Sequence, residues 1–86
     1  MSHTPEFTNL SKHAKAIHTG DHYRHFKGDE YTVVGVGKHT ETLEEFVVYH
    51  LVDQTDAVLC LRPLAMFLDT VERPTYTGPR FTKLAD

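Results

Sequence analysis

The chain is predicted to be mainly β: a small SH3-like barrel of about five antiparallel strands, preceded by a short N-terminal helix. Three observations predict it. Short β-rich runs with turn signals between them recur from residue 27 to residue 84, the pattern of an all-β sandwich or barrel. The run Tyr31–Lys38 is apolar on both parities, with Tyr31 and Val33 on one and Val34 and Val36 on the other. A half-exposed strand would alternate, whereas a barrel strand bends at glycine, here Gly35 and Gly37. Closing so few short strands into a barrel also removes the sheet edges that invite aggregation.

Residues 1–8 are polar, carry Pro5 and read as a loose tail. Asn9–Thr19 reads as a helix, because Leu10, Ala14 and Ile17 fall on one face. Thr8 or Asn9 would cap its start and Gly20 its end. So short a helix is marginal alone and persists only docked on the rest. Tyr23, His25 and Phe26 lead into the turn Lys27-Gly28-Asp29-Glu30, after which Tyr31–Lys38 forms the first clear strand. His39–Glu45 is a polar crossing, and Phe46–Val52 the next strand. Asp53–Asp56 turns the chain. Ala57–Leu61 is an apolar strand, ended by Arg62-Pro63 because proline cannot donate to a ladder. Leu64–Phe67 reads as a helical turn, Leu68–Glu72 as a strand, Pro74–Pro79 as a loop and Arg80–Leu84 as the closing strand. The organisation expected is an N-terminal tail and helix over 1–19 and one barrel domain over 20–86.

Size and charge bound the function. At 86 residues the chain has room for one thin core. A formal net charge of −3 argues against a generic nucleic-acid binder. Cys60, the single cysteine, has no internal disulfide partner. Lying in the apolar run Val58–Leu61, it reads as a small buried thiol in a reducing, cytoplasmic setting. No apolar run approaches the length of a membrane helix, and no N-terminal signal is expected.

One set of residues carries a resemblance. Tyr23-Arg24-His25-Phe26-Lys27-Gly28, Tyr31, Val33, His39-Thr40-Glu41-Thr42, Glu44, Val47-Val48-Tyr49, Arg62-Pro63, Met66-Phe67 and Arg80-Phe81 resemble a small bacterial family of unknown function, DUF1653, over about Gly20 to Leu84. The resemblance implies an SH3-like barrel and no established activity. The family usually places a tryptophan two residues before the Arg-Pro pair, where this chain has Cys60. It also tends to carry a Leu-Tyr pair and a glycine turn where this chain has Leu51-Val52-Asp53. Aromatics that lined a groove there would be missing here.

The densest group of chemically capable side chains is the crossing. A carboxylate beside His39 would orient the imidazole and raise its pKa, and on an extended segment His39 and Glu41 point to the same side. Arg62, at a strand end, would hold a carboxylate bidentately, from this loop or from a ligand. The structural alternative is that Thr40, Thr42, Glu41 and Glu44 satisfy backbone amides of a tight crossing that Arg62 pins to the barrel. The candidate ligand-binding set is His39, Glu41, Glu44, Tyr49, Arg62 and Met66, with no catalytic nucleophile. His13, His18, His22 and His25 lack the spacing and cysteines of a zinc site, so no metal and no cofactor are expected. Of the aromatics, Tyr23, Tyr49 and Tyr76 are the candidates for an exposed peptide groove, and the rest read as core.

The leading expectation is a binding module for a peptide or a small polar ligand. The alternatives are an enzyme using His39 and Glu41 as an acid/base pair, an RNA- or ribosome-associated domain, and a structural domain that dimerises through an exposed strand. The expected partner is a peptide, a protein or a small polar ligand rather than nucleic acid or a membrane. The expected state is a monomer or a weak dimer.

Overall fold

The computed structural model describes residues 9–53 and 58–85. The described chain is mainly β. The order is α1 (Lys12–Lys15), β1 (His22–His25), β2 (Glu30–Lys38), β3 (Glu45–Leu51), β4 (Cys60–Pro63), α2 (Leu64–Phe67), β5 (Thr70–Arg73), β6 (Tyr76–Pro79) and β7 (Phe81–Lys83). Five strands form one antiparallel sheet in the order β4-β3-β2-β1-β7, and β5 and β6 pair as a separate hairpin. Among the described residues no ladder joins β4 to β7. The sheet is nevertheless curled, because Arg62 of β4 lies over the ring of Phe81 of β7.

Register explains the double parity of β2. Tyr31, Val33, Val36 and Lys38 pair with Leu51, Tyr49, Val47 and Glu45, and the register slips between Val33 and Gly35. Val34 is thus one extra residue, a β-bulge. It lets residues three apart, Val33 and Val36, share the inner face while Val34 itself is exposed. The Thr19 hydroxyl donates to the Val34 carbonyl at 2.9 Å, satisfying an oxygen at the bulge.

The core lies on the inner face. Tyr23, Val33, Val47, Tyr49, Leu64, Phe67 and Phe81 pack there together with Ala14 and Ile17 of the N-terminal segment. Phe67 stacks on Phe81 with centroids 4.2 Å apart and meets Tyr23 edge-on at 5.0 Å. Residues 10–17 are therefore built into the same core as the sheet. The helix is one turn rather than the whole of Asn9–Thr19, and its cap is Ser11, whose hydroxyl accepts from the Ala14 amide. The expected apolar face is present: Ala14 and Ile17 are buried and Leu10 packs against the core. Thr8 lies outside the described residues. Gly20 ends the segment with φ +92, and its amide donates to the Val33 carbonyl at 2.8 Å.

Three strands depart from expectation. The sequence predicts only a lead-in at β1 and a loop at β6, because neither has an apolar run. β1 is held by pairing on both sides, with β2 and β7. β6 is held by β5 and by the Tyr76 hydroxyl, which donates to the Pro79 carbonyl at 2.8 Å. β4 starts at Cys60 and includes Arg62 and Pro63, rather than ending before them. Ala57 lies outside the described residues. As an outer strand β4 tolerates proline, and only one of its faces covers core. Leu61 is accordingly 63% exposed, and Cys60 is half-buried instead of fully buried.

Candidate functional site

The antiparallel register sorts the candidate residues onto two faces. Arg62 pairs with Val47 and Cys60 with Tyr49, so all four share the inner face. Leu61 pairs with Val48 and faces outward. On the inner side, Arg62 Nε donates to Tyr49 Oη at 3.0 Å, and Nη1 donates to Met66 Sδ at 3.4 Å. The guanidinium carbon lies 5.4 Å from the Phe81 ring centre, a cation–π contact. Three directions fix the side chain: Tyr49 from β3, Met66 from α2 and Phe81 from β7. Among the described residues no Asp or Glu oxygen lies within 4.0 Å of it. A fork held in this way, with donors left over, is suited to an incoming carboxylate or phosphate.

His39, Glu41 and Glu44 do not join that group. Residues 40–42 form a turn rather than an extended segment, so the expected same-side pairing of His39 and Glu41 does not hold. His39 Nδ1 accepts from the amides of Glu41 at 3.1 Å and Thr42 at 3.2 Å. Its own amide donates to the Glu44 carbonyl at 2.7 Å. The Thr42 hydroxyl accepts from the Glu44 amide at 3.2 Å. Leu43 is forced to φ +65 to close the loop. These bonds match the structural alternative for the crossing, with the histidine ring in the part assigned to the carboxylates. A ring accepting at Nδ1 carries its proton on Nε2. His39 also borders an outward groove with Gly37, Phe46, Val48 and Leu61, on the far side of the sheet from Arg62. Arg62 does not pin the crossing.

What holds the crossing to the N-terminal segment is a set of residues that sequence reasoning passed over. Ser11 donates through both its amide and its hydroxyl to Glu45, each at 2.6 Å. Lys38 lies 3.9 Å from the same carboxylate and donates to the Asn9 carbonyl. The Ser11 hydroxyl, then its amide, hold the Glu45 carboxyl below its usual range, with Lys38 adding to the effect.

Beyond Arg62 the inner face runs into rings. Phe81 meets His25 edge-on at 5.0 Å, and His25 lies 4.5 Å from Phe26. Burial lowers the His25 pKa, and Arg62, Lys27 and Arg80 lower it further. Its Nδ1 accepts from the Lys27 amide at 3.2 Å, as a neutral ring does. Tyr31 stands edge-on to Tyr49 at 5.1 Å, and burial raises its pKa. Arg80 is engaged by both carboxylate oxygens of Asp69, at 2.8 and 3.2 Å. The signal that could have found these residues is parity: His25 follows Tyr23 by two, and Arg62 follows Cys60 by two. Cys60 pairs with Tyr49 and stands on Arg62's own face.

Among the described residues no three His, Cys, Asp or Glu side chains gather as metal ligands. No helix there is long and apolar enough to cross a membrane.

Residues 21–83 match the profile of a family described as "Protein of unknown function (DUF1653)". The chain is similar to a crystallised protein of that family from Bordetella bronchiseptica, with 30% identity and a TM-score of 0.68. The match covers 83% of this chain and 91% of the other. No curated protein matches.

Proposed function

The chain belongs to the DUF1653 family, whose function is unknown, and we propose that it is a small binding module that takes the anionic group of a peptide or small polar ligand at Arg62. The observation that carries this reading is the state of that one side chain. Tyr49, Met66 and Phe81 orient it, yet no described acid neutralises it within ion-pair distance. Arg80, by contrast, is paired with both oxygens of Asp69. The Arg62 pocket replaces the wider set that included His39, Glu41 and Glu44, whose bonds serve their own loop.

The test is a titration followed by amide and Arg Nε chemical shifts, using inorganic phosphate and a short peptide with a free or an amidated C-terminus. Shifts at Arg62, Tyr49 and Met66 with phosphate and the free carboxylate, lost in Arg62→Gln, support the reading. An Arg62 resonance indifferent to both anions overturns it.

A further inference from the structure

We propose that Met66 is an oxidation site that switches the Arg62 pocket: a hydroperoxide converts its thioether to the sulfoxide, whose oxygen takes the Arg62 donors and shuts anions out. This rests on the reading of Arg62 as an anion-recognition group and adds a control to that same group.

The contact that carries the proposal is direct: Arg62 Nη1 donates to Met66 Sδ at 3.4 Å. It lies at the open end of the guanidinium, since the Nε bond to Tyr49 is partly buried and the bond to sulfur is exposed. Met66 itself is 44% exposed, so a small oxidant reaches it. Its place on α2 explains the exposure. Leu64 and Phe67 are the buried face of that single turn, and Ala65 and Met66 stand on the open side. Met66 is outside the core cluster that holds Leu64 and Phe67, so filling the core does not account for its thioether. What the sulfur touches is the Arg62 fork.

A thioether is a weak acceptor. It holds Nη1 loosely and yields to a carboxylate or phosphate oxygen, which makes the stronger, charge-assisted bond. Peroxide changes the acceptor. A sulfur lone pair takes the outer oxygen of the O–O bond, and the other oxygen leaves as water or an alcohol, carrying off the proton. The sulfur is oxidised and the peroxide reduced. The new oxygen sits on an unbranched, rotatable side chain, already in contact with Arg62. Being tethered, it competes with anions from solution at a high effective concentration. Among the described residues no carboxylate oxygen lies within 4.0 Å of Arg62 to contest the place. Sulfoxide reductases reverse the step, so the pocket reopens when the thioether is restored. Cys60, the other sulfur on this face, is half-buried, and the test separates the two.

The experiment measures the affinity of the full chain for inorganic phosphate from the Arg62 Nε shift, before and after hydrogen peroxide, with mass spectrometry locating the added oxygen. Oxidation of Met66 should weaken phosphate about tenfold, the effect of one charged hydrogen bond, and methionine sulfoxide reductase should restore it. Met66→Gln, which brings a neutral carbonyl oxygen to a similar reach, should show the weakened affinity without peroxide. Met66→Leu should bind phosphate equally before and after peroxide, whatever its starting affinity. Any of four results overturns the switch: a sulfoxide at Met66 with unchanged affinity, a Met66 that stays reduced in peroxide that oxidises free methionine, Met66→Gln with the parent's affinity, or Met66→Leu losing affinity to peroxide as the parent does. The last would place the effect at another sulfur, such as Cys60. If the untreated chain still answers phosphate in those cases, the pocket stands and only the switch falls. If it does not, both fall.

Discussion

Ser11 and Glu45, 34 residues apart, are joined by two hydrogen bonds of 2.6 Å, one to each carboxylate oxygen. The same Ser11 hydroxyl caps α1. One contact therefore starts the helix and docks it on β3.

The first prediction concerns acid. Glu45 and Asp69 both have lowered pKa values, the first chiefly through Ser11 and the second chiefly through Arg80. Their ionised forms stabilise the fold above the unfolded-state carboxylate range, about 3.9 to 4.3. That stability is lost as pH falls through the lower folded values. The urea midpoint should fall in this window, and fall less steeply in Glu45→Gln. An acid limb of the same depth in that variant would contradict the assignment. Ser11→Ala should cost about 1 kcal/mol at neutral pH.

The crossing gives a second prediction. The Leu43 backbone sits in the left-handed region, which costs a non-glycine residue about 1 kcal/mol or more. Leu43→Gly should raise stability by up to about 1 kcal/mol. His39→Ala removes the acceptor for two amides and should cost about 1 kcal/mol. Glu41→Gln should change stability by less than about 0.5 kcal/mol, since Glu41 takes part in the loop through its amide. A larger loss from Glu41→Gln in urea unfolding would return the carboxylate to a structural part.

Phe67 is 1% exposed and lies between Tyr23, Tyr49 and Phe81. Phe67→Ala should cost about 3–5 kcal/mol, much of the stability of a domain this small. Far-UV circular dichroism at 25 °C should show it largely unfolded, while Phe67→Leu stays folded with a reduced midpoint. A folded Phe67→Ala with a near-native midpoint would remove the ring stack from the centre of the core.

Arg62→Lys keeps the charge and loses the fork. Its ammonium cannot reproduce the Nε bond to Tyr49 while also presenting two parallel donors. The anion response should weaken about tenfold with little change in the urea midpoint. Full retention of affinity would mean that charge alone is read there.

The sequence made legible the elements with a strong local signature. α2 falls on Leu64–Phe67 as expected, and β2 and β3 lie within one residue of their predicted ends. β1 and β6 were not legible, because His22-Tyr23-Arg24-His25 and Tyr76-Thr77-Gly78-Pro79 become strands only through partners distant in sequence. The candidate site divided in the same way. Tyr49, Arg62 and Met66 come together because strand register and a one-turn helix bring them to one face. His39, Glu41 and Glu44 are close to them in the pattern of motifs but belong to a loop closed by the His39 ring, the Thr42 hydroxyl and backbone amides. The Ser11–Glu45–Lys38 group was hidden because a salt-bridged cap between segments so far apart leaves no spacing to read.

The bulge at Val34 bears on how the chain tolerates a change of length. Val33 keeps Tyr49 and Gly35 keeps Val48 as partners, with Val34 uncounted between them. Removing that single residue would leave both halves of the ladder in phase, with every inward side chain still inward. Removing Val33 or Gly35 instead would also keep the two halves in phase, with Val34 taking the vacated place opposite Tyr49 or Val48. A gap farther along β2 would turn over the side chains between it and the bulge. The bulge is thus where a one-residue gap is compatible with the fold, and taking Val34 itself loses the Thr19 bond and some local twist.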